Sequence, residues 1–141
     1  MSRGWMAVVC GLAVLALGLV AAGCGGQEQV LEGTEWRLSG WNLSSLNPAD
    51  FEITASFESS RVAGKSAVNQ YSGPYTQGPG QAFSTGPLVS TLMAGPEPDM
   101  RAEQAYLEAL QAARSFQLAQ DTLTLYDEQG NVILIFEAVS Q

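Results

Sequence analysis

Few residues of this chain have the chemistry that catalysis requires. Its 141 residues include no histidine, which excludes a Ser-His-Asp triad and an imidazole metal site. Glu97 and Asp99 are residue types that a glycosidase uses, but they flank Pro98 at a predicted helix start, where acidic side chains complement the helix dipole. Asp127 and Glu128 fit a solvated hairpin tip better than a weak Ca²⁺ site. We therefore predict a protein that is not an enzyme and that holds no metal or cofactor.

Cys24 has the most specific chemistry in the sequence. It follows Ala21-Ala22-Gly23, and before these small residues lies an uncharged apolar run from Met6 to Val20. Together with Arg3 near the start, this order is typical of a secretory signal. Small residues that lead directly into a cysteine resemble the lipobox of bacterial lipoproteins, in which the thiol receives a diacylglycerol. The resemblance predicts a signal peptide over residues 1–23 and a lipidated Cys24; a plain secreted protein and an uncleaved membrane anchor are the alternatives.

Processing at Cys24 would leave an acidic, exported domain. The chain has 14 acidic and 6 basic residues, and Arg3 is the only charged residue before Cys24, so 14 acidic and 5 basic residues remain, a net charge of −9. This charge opposes binding to nucleic acid and to anionic headgroups, so the acyl chains must supply the membrane attachment. Residues 24–30 are predicted to form a flexible tether. Residues 31–141 are predicted to form one monomeric domain without a disulfide.

A second group of residues suits binding better than catalysis. Tyr71 and Tyr75 fall on one face of a predicted strand, around a glycine, which makes a good contact surface for a protein or a glycan. We predict a binding rim at one end of the domain, composed of Asn69, Tyr71, Gly73, Tyr75, Thr91 and Met93. The alternative interpretation is structural: the asparagine bonds loop backbone and the tyrosines cap the end of the barrel.

Short strands and one helix must position these residues. Apolar residues alternate with polar ones in most of the chain after Thr34, which predicts seven or eight strands, among them residues 34–38, 51–57, 61–63, 71–76, 81–85, 116–118, 123–125 and 132–136. Apolar side chains at helical spacing predict one helix over Pro98–Arg114. Trp36 is predicted to lie in the core and Trp41 to be the more exposed. The fold class is mainly β: a small antiparallel barrel in which the helix covers an opening, because this arrangement leaves the fewest exposed strand edges.

Five motifs in order resemble the META domain, the family that includes the heat-inducible HslJ-type proteins. Leu31 to Leu38 matches the L-x-G-T-x-W-x-L start, and Gly64 to Tyr75 resembles the G-x-x-G-C-N-x-Y-x-G-x-Y signature. The remaining three are Thr91 to Gly95 against T-x-M-A-C, Glu103 and Leu110 in the helix, and Leu123 to Gly130 against the closing hairpin. Both family cysteines are replaced, by Val68 and Gly95, and Ala67 replaces a glycine. The joint loss of both cysteines suggests that positions 68 and 95 lie close together in space.

The resemblance implies a mainly β, barrel-like domain that often occurs in envelope lipoproteins with stress phenotypes, and it implies no enzyme. The leading prediction is a non-enzymatic, exported lipoprotein that binds an envelope protein or a cell-wall component and supports stress tolerance. One alternative is an inhibitor of a secreted hydrolase, because small β-barrel lipoproteins include lysozyme inhibitors with a loop loosely like Tyr71 to Tyr75. Another is a barrel that carries a small apolar ligand.

Overall fold

The computed structural model describes residues 28–140. The predicted signal peptide and Cys24 lie outside these residues. In this described part of the chain, nine strands and one α-helix follow one another in order: β1 (Thr34–Trp41), β2 (Thr54–Glu58), β3 (Arg61–Lys65), β4 (Gln70–Gly78), β5 (Ala82–Thr85), β6 (Val89–Ser90), α1 (Glu97–Ala112), β7 (Ser115–Ala119), β8 (Thr122–Tyr126) and β9 (Val132–Ala138). Two short 3-10 turns, Pro48–Asp50 and Pro79–Gln81, lie between strands. Within residues 28–140, no helix has the length and apolarity that crossing a membrane requires.

Eight of the strands close into an antiparallel barrel, which confirms the predicted fold class. The order around the barrel is β3-β2-β1-β9-β8-β7-β5-β4, and the pairing of β4 with β3 completes the ring. The ninth strand, β6, continues the line of β5 and pairs with the first half of β4 at Tyr71 and Ser72. An eight-stranded barrel has an interior that side chains alone can fill. Closure also leaves few unpaired strand edges.

The helix lies across one opening of the barrel and inserts an aromatic side chain into it. Tyr106 is fully buried, and its ring lies 5.5 Å from that of Tyr71 on β4 and 6.3 Å from that of Phe136 on β9, between centroids. These two strands are four places apart in the eight-strand order, so they face each other across the barrel. Only a helix that spans the opening can place one residue against both.

Burial along the elements follows the predicted alternation. Phe51, Ile53, Ala55 and Phe57 are all buried, although β2 itself begins only at Thr54 because the 3-10 turn occupies Pro48–Asp50. The helix extends over Glu97–Ala112, close to the predicted Pro98–Arg114. The run 132–136 is buried at three positions rather than throughout, and two of these are the neighbours Ile133 and Leu134. The register shifts here, because the consecutive residues Leu125 and Tyr126 of β8 pair with Leu134 and Val132, which leaves Ile133 as an extra residue in β9 and breaks the alternation.

The two tryptophans that the sequence singled out have different surroundings. Trp36 is buried in the core and donates its indole N–H to the Thr34 hydroxyl over 2.7 Å, so its predicted place is confirmed. Trp41 was predicted to be the more exposed of the two, and this is confirmed, although it is only partly exposed. It is half-buried against the core and donates its indole N–H to the Leu46 carbonyl over 2.8 Å. The loop after β1 folds back over the ring because that loop supplies both the acceptor and an apolar side chain.

Candidate functional site

The candidate site is built where three parts of the chain meet. These are the turn between β3 and β4, the uncharged segment that precedes the helix, and the second turn of α1. We call residues 86–96, which contain no charged side chain, the apolar segment. Asn69 in the turn and Glu103 on the helix join the three parts, and both are buried, with 2% and 6% of their surface exposed.

Asn69 uses every hydrogen-bonding position of its side-chain amide. The Oδ1 atom accepts from the Met93 backbone N–H (2.7 Å) and from the Thr91 hydroxyl (2.8 Å). The Nδ2 atom donates to the Met93 carbonyl (3.1 Å) and to Glu103 Oε1 (2.7 Å). An amide side chain has two acceptor and two donor positions, so this residue is fully satisfied. It therefore fixes the backbone of the apolar segment to the end of the barrel.

Glu103 holds the turn in place as an acceptor of several hydrogen bonds. Its Oε2 atom accepts from the Asn69 backbone N–H (2.7 Å), from the Ser66 hydroxyl (2.8 Å) and from the Val68 backbone N–H (3.2 Å). Burial alone would raise the pKa of this carboxyl, but the hydrogen bonds from Asn69, Ser66 and Val68 outweigh it and hold the pKa below its usual value. The carboxylate stays charged and fully engaged, so its function is structural.

The turn also brings the two former cysteine positions into contact. A Cβ atom built on Gly95 would lie 3.5 Å from the Cβ of Val68 and 2.7 Å from its Cγ2. The predicted closeness of positions 68 and 95 is therefore confirmed. The neighbouring Ala67 has a φ of +88°, a conformation that favours glycine, which is the residue the family pattern has there.

Beyond this anchor, the apolar segment exposes large apolar side chains. Val89, Leu92 and Met93 have 65%, 95% and 57% of their surface exposed. The part of the chain that the structure describes has six exposed large hydrophobic side chains, and these three lie within five residues of one another. Because isolated exposed apolar residues are ordinary and clustered ones are not, this cluster is the strongest candidate for a binding surface among the described residues.

The predicted binding rim comes together only in part. Asn69, Thr91 and Met93 meet as described above. Tyr71 and Tyr75, however, point into the barrel and have 3% and 6% of their surface exposed, so their rings are not available to a partner. The expectation of exposed tyrosines was wrong because β4 continues regularly through Gly73 and keeps both rings on its inner face.

Gly73 has an architectural reason to be glycine. A Cβ at this position would lie 2.7 Å from the Pro87 carbonyl oxygen and 2.7 Å from a methyl group of Leu88. The absence of a side chain therefore lets the apolar segment cross closely over β4. This close approach places Val89 and Ser90 beside Ser72 and Tyr71 in the strand ladder.

The three buried tyrosines, Tyr71, Tyr75 and Tyr106, are protonated and form hydrogen bonds. The Tyr71 hydroxyl donates to the Thr54 carbonyl over 2.8 Å and lies 2.6 Å from the Tyr106 hydroxyl. Burial raises the pKa of Tyr71 and of Tyr106 well above the usual value. Burial, together with the hydrogen bond to Glu32, raises the pKa of Tyr75 to about 12. None of these hydroxyls is therefore ionised at neutral pH.

Of the four acidic residues considered for catalysis or metal binding, Glu97 and Asp127 have structural partners. Glu97 and Asp99 lie in the first turn of α1, and Glu97 pairs with Arg101 one turn later. Asp127 accepts from the backbone N–H of Gln129 and Asn131, each over 2.9 Å, and these and the Asn131 side chain lower its pKa. Among residues 28–140, no cluster of three or more acidic, cysteine or histidine side chains forms a metal site.

Sequence reasoning gave Glu103 only as a family position and missed its role. The signal was present in the spacing, because Glu103 lies three residues before Tyr106 and seven before Leu110, on the stripe that faces the core. An acidic residue on a buried helix stripe indicates a buried acceptor that needs donors. Ser66 was missed too, because nothing in its local pattern indicates burial.

Comparisons with known proteins agree with this architecture. The family model of the META domain matches residues 29–140. An NMR structure of a protein from Burkholderia xenovorans is 29% identical, covers 79% of this chain and 85% of its own, and superimposes with a TM-score of 0.66. A crystal structure of a DUF4847 family protein from Bacteroides vulgatus is 13% identical and shares the fold, with a TM-score of 0.58 over 82% of this chain and 99% of its own. No curated protein sequence matches the chain.

Proposed function

Because the chain belongs to the META domain family, we propose that it is a non-enzymatic binding domain, exported and tethered to the extracytoplasmic face of the membrane by a lipid on Cys24. In this proposal the domain binds another component of the cell envelope, and that binding supports tolerance of envelope stress. The proposal joins two parts of the chain: the lipobox-like sequence at its start and the apolar segment at the end of the barrel.

The observation that carries the binding role is the combination of exposure and fixed conformation in the apolar segment. Leu92 is almost wholly exposed, yet the backbone of the next residue, Met93, is held by both its N–H and its carbonyl. Thr91 is held as well, by a backbone hydrogen bond to the Gln70 carbonyl over 3.0 Å. An apolar side chain on a fixed backbone loses little conformational entropy on binding, which favours affinity.

The chemistry of the polar groups supports a role without catalysis. Glu103, a buried carboxylate, accepts hydrogen bonds from the turn and has a lowered pKa, so it is poorly suited to donate or accept a proton at neutral pH. The hydroxyl groups of Tyr71 and Tyr106 form a hydrogen bond with each other inside the core. The polar groups of the candidate site thus stabilise the fold and position the apolar segment.

The two alternative functions receive less support from the geometry. A carrier needs an interior cavity, whereas the rings of Phe57, Tyr75 and Phe83 fill part of the interior and pack against one another at centroid distances of 5.0 to 6.1 Å. The likeness to lysozyme inhibitors rested on a loop from Tyr71 to Tyr75. These residues form the middle of β4 and do not project as a loop.

The tether is tested by expressing the full chain in a bacterium and measuring the mass and the detergent partitioning of the product. We expect acylation at Cys24 and cleavage before it, both lost in Cys24→Ala. A processed product with an unmodified Cys24 thiol would contradict the tether.

The binding role is tested in host cells with a photoreactive amino acid at position 92 or, as the matched control, at position 139. Val139 is also exposed but follows β9 and bonds Glu35 near the start of β1, at the other end of the barrel. We expect one discrete adduct from position 92 that disappears when Asn69→Ala releases the segment. Equal adducts from both positions, or an adduct that survives Asn69→Ala with the fold intact, would refute the binding role of the segment.

A further inference from the structure

The described chain begins at one end of the barrel and is fixed there. The side chain of Gln29 bonds the backbone of Leu118 on both sides: its Nε2 donates to the carbonyl (2.6 Å), and its Oε1 accepts from the N–H (2.9 Å). The side-chain amides of Gln77 and Gln81 donate further hydrogen bonds to Gln29, to its carbonyl and to its Oε1 respectively. The predicted tether over residues 24–30 is thus shorter than its sequence indicated, because Gln29 already belongs to the folded domain.

The apolar segment lies at the opposite end of the barrel. Strand β4 connects the two ends: its first residue, Gln70, bonds Thr91, and its last residues, near Gln77, contact Gln29. Nine residues of strand span about 26 Å, or about 20 Å along the barrel axis at the usual strand tilt. We call the end with Gln29 the tether end and the end with the apolar segment the distal end.

This arrangement restricts where the segment points if Cys24 carries a lipid. Only four residues separate Cys24 from Gln29, and this link reaches at most about 17 Å when fully extended. The tether end therefore stays close to the bilayer surface. The distal end, on the other side of the barrel, faces away from it.

Charge at the distal end indicates the kind of partner. Besides the buried Glu103, the loops at this end and the first turns of α1 carry six carboxylates and three cations: Asp50, Glu52, Glu97, Asp99, Asp127, Glu128, Lys65, Arg101 and Arg114. Two of the cations are paired with carboxylates, Lys65 with Glu52 at 2.8 Å and Arg101 with Glu97, so acidic groups remain in excess. An uncharged apolar centre within an acidic border complements a surface that is apolar at its centre and basic around it.

We propose that the distal end binds a protein partner whose apolar contact is bordered by lysine or arginine side chains, and that this partner approaches from the side opposite the membrane. The proposal rests on the proposed function for the tether, but the surface itself is defined by the fold. The segment has a fixed backbone, and three exposed apolar side chains form the contact: Val89, Leu92 and Met93.

The chemistry of the partner is tested with the processed lipoprotein in detergent micelles and short synthetic peptides. One peptide alternates Leu with Lys, a second alternates Ser with Lys, and a third alternates Leu with Glu. We expect the Leu/Lys peptide to bind most tightly, and the double variant Leu92→Ser, Met93→Ser to weaken it by at least about tenfold, the equivalent of one buried apolar side chain. The matched control is Val30→Ser, Val139→Ser, which removes two exposed apolar side chains from the tether end and should leave the affinity unchanged.

Two results would overturn this assignment. Equal affinity for the Ser/Lys and Leu/Lys peptides would show that charge alone determines binding. Equal effects of the two double variants would show that the apolar segment is not the contact. All four substituted side chains are exposed, so both variants should keep the melting temperature of the parent protein.

The orientation is tested in phosphatidylcholine vesicles that contain a quencher-labelled lipid. A fluorophore on Leu92→Cys should remain unquenched, whereas one on Gln120→Cys, in the exposed β7–β8 turn at the tether end, should be quenched. Quenching at position 92 would mean that the apolar segment inserts into lipid and would overturn the proposal. Co-sedimentation of the protein with the vesicles reports the tether separately, so a failure of the anchor is distinguishable from a failure of the orientation.

Discussion

The contact between Val68 and Gly95 allows a disulfide to be designed where the family pattern has two cysteines. The Cβ atom built on Gly95 lies 3.5 Å from the Val68 Cβ, at the short edge of the range that disulfides span. The φ angle of Gly95 is not in the positive region, so a cysteine there has an allowed backbone. We therefore expect Val68→Cys, Gly95→Cys to oxidise spontaneously without a change of fold.

The stabilisation follows from the length of the closed loop. Positions 68 and 95 enclose roughly 28 residues, and closing such a loop removes about 12 cal/mol/K of entropy from the unfolded chain. At 25 °C this corresponds to about 3.6 kcal/mol, an upper value because the loss of the Val68 methyl groups and some strain act against it. A net gain of about 2–3 kcal/mol should raise the melting temperature of a domain of this size by about 10–15 °C.

The assay compares the oxidised and reduced double variant with both single variants, in a chain that begins after Cys24 and so contains no other cysteine. Thermal melting should show the gain only without reductant, and the parent domain should not respond to reductant. Gly95→Cys alone should be destabilised, because its Cβ would lie 2.7 Å from a Val68 methyl group. Two free thiols in the oxidised sample, or a melting temperature of the double variant that is the same with and without reductant, would refute the inferred contact between positions 68 and 95.

Three further predictions concern stability. Glu103→Gln should lower the free energy of unfolding by about 2–3 kcal/mol at neutral pH. Hydrogen bonds lower the pKa of this carboxyl in the folded state below its usual 4.5, so the stability difference from the parent should be fully present above pH 4.5 and shrink as the pH falls through the folded-state pKa. A stability difference that does not change with pH would contradict this role of the carboxylate. Ala67→Gly should stabilise the domain by about 0.5–1 kcal/mol in urea, since it relieves a φ of +88°, whereas the strand control Ala63→Gly should destabilise it. Trp36→Ala should cost about 3–5 kcal/mol, and a loss below about 1 kcal/mol would contradict its burial.

Much of the fold follows from patterns that are local in the sequence. Alternation at positions 51, 53, 55 and 57 identifies the core face of β2 because side chains in a strand alternate between its two faces. The helix was equally predictable from the sequence, since Pro98 and two acidic residues mark its start. In both cases the residues that carry the signal lie within a few positions of one another.

The candidate site was less predictable because its contacts join distant residues. Asn69 and Met93 are 24 positions apart, and Asn69 and Glu103 are 34 apart. The tyrosines were interpreted as a contact surface because they fall on one face of a strand around a glycine, and the local pattern does not show that this face lines the barrel. It does line the barrel, and Gly73 makes room for a crossing segment that no local pattern could reveal.

The two anchors of the apolar segment should be able to replace each other. The family pattern has cysteines at the positions of Val68 and Gly95 in addition to Asn69 and Glu103, whereas in this chain the segment is held by the side chain of Asn69, which is itself bonded to Glu103. Asn69→Ala should therefore free the backbone of Met93 and weaken binding at the distal end, even though Leu92 and Met93 are unchanged. If position is what matters, the same substitution in the oxidised Val68→Cys, Gly95→Cys background should recover most of the affinity for the Leu/Lys peptide, and reductant should abolish the recovery. Binding that stays weak in the oxidised background would mean that Asn69 does more than hold the segment in place.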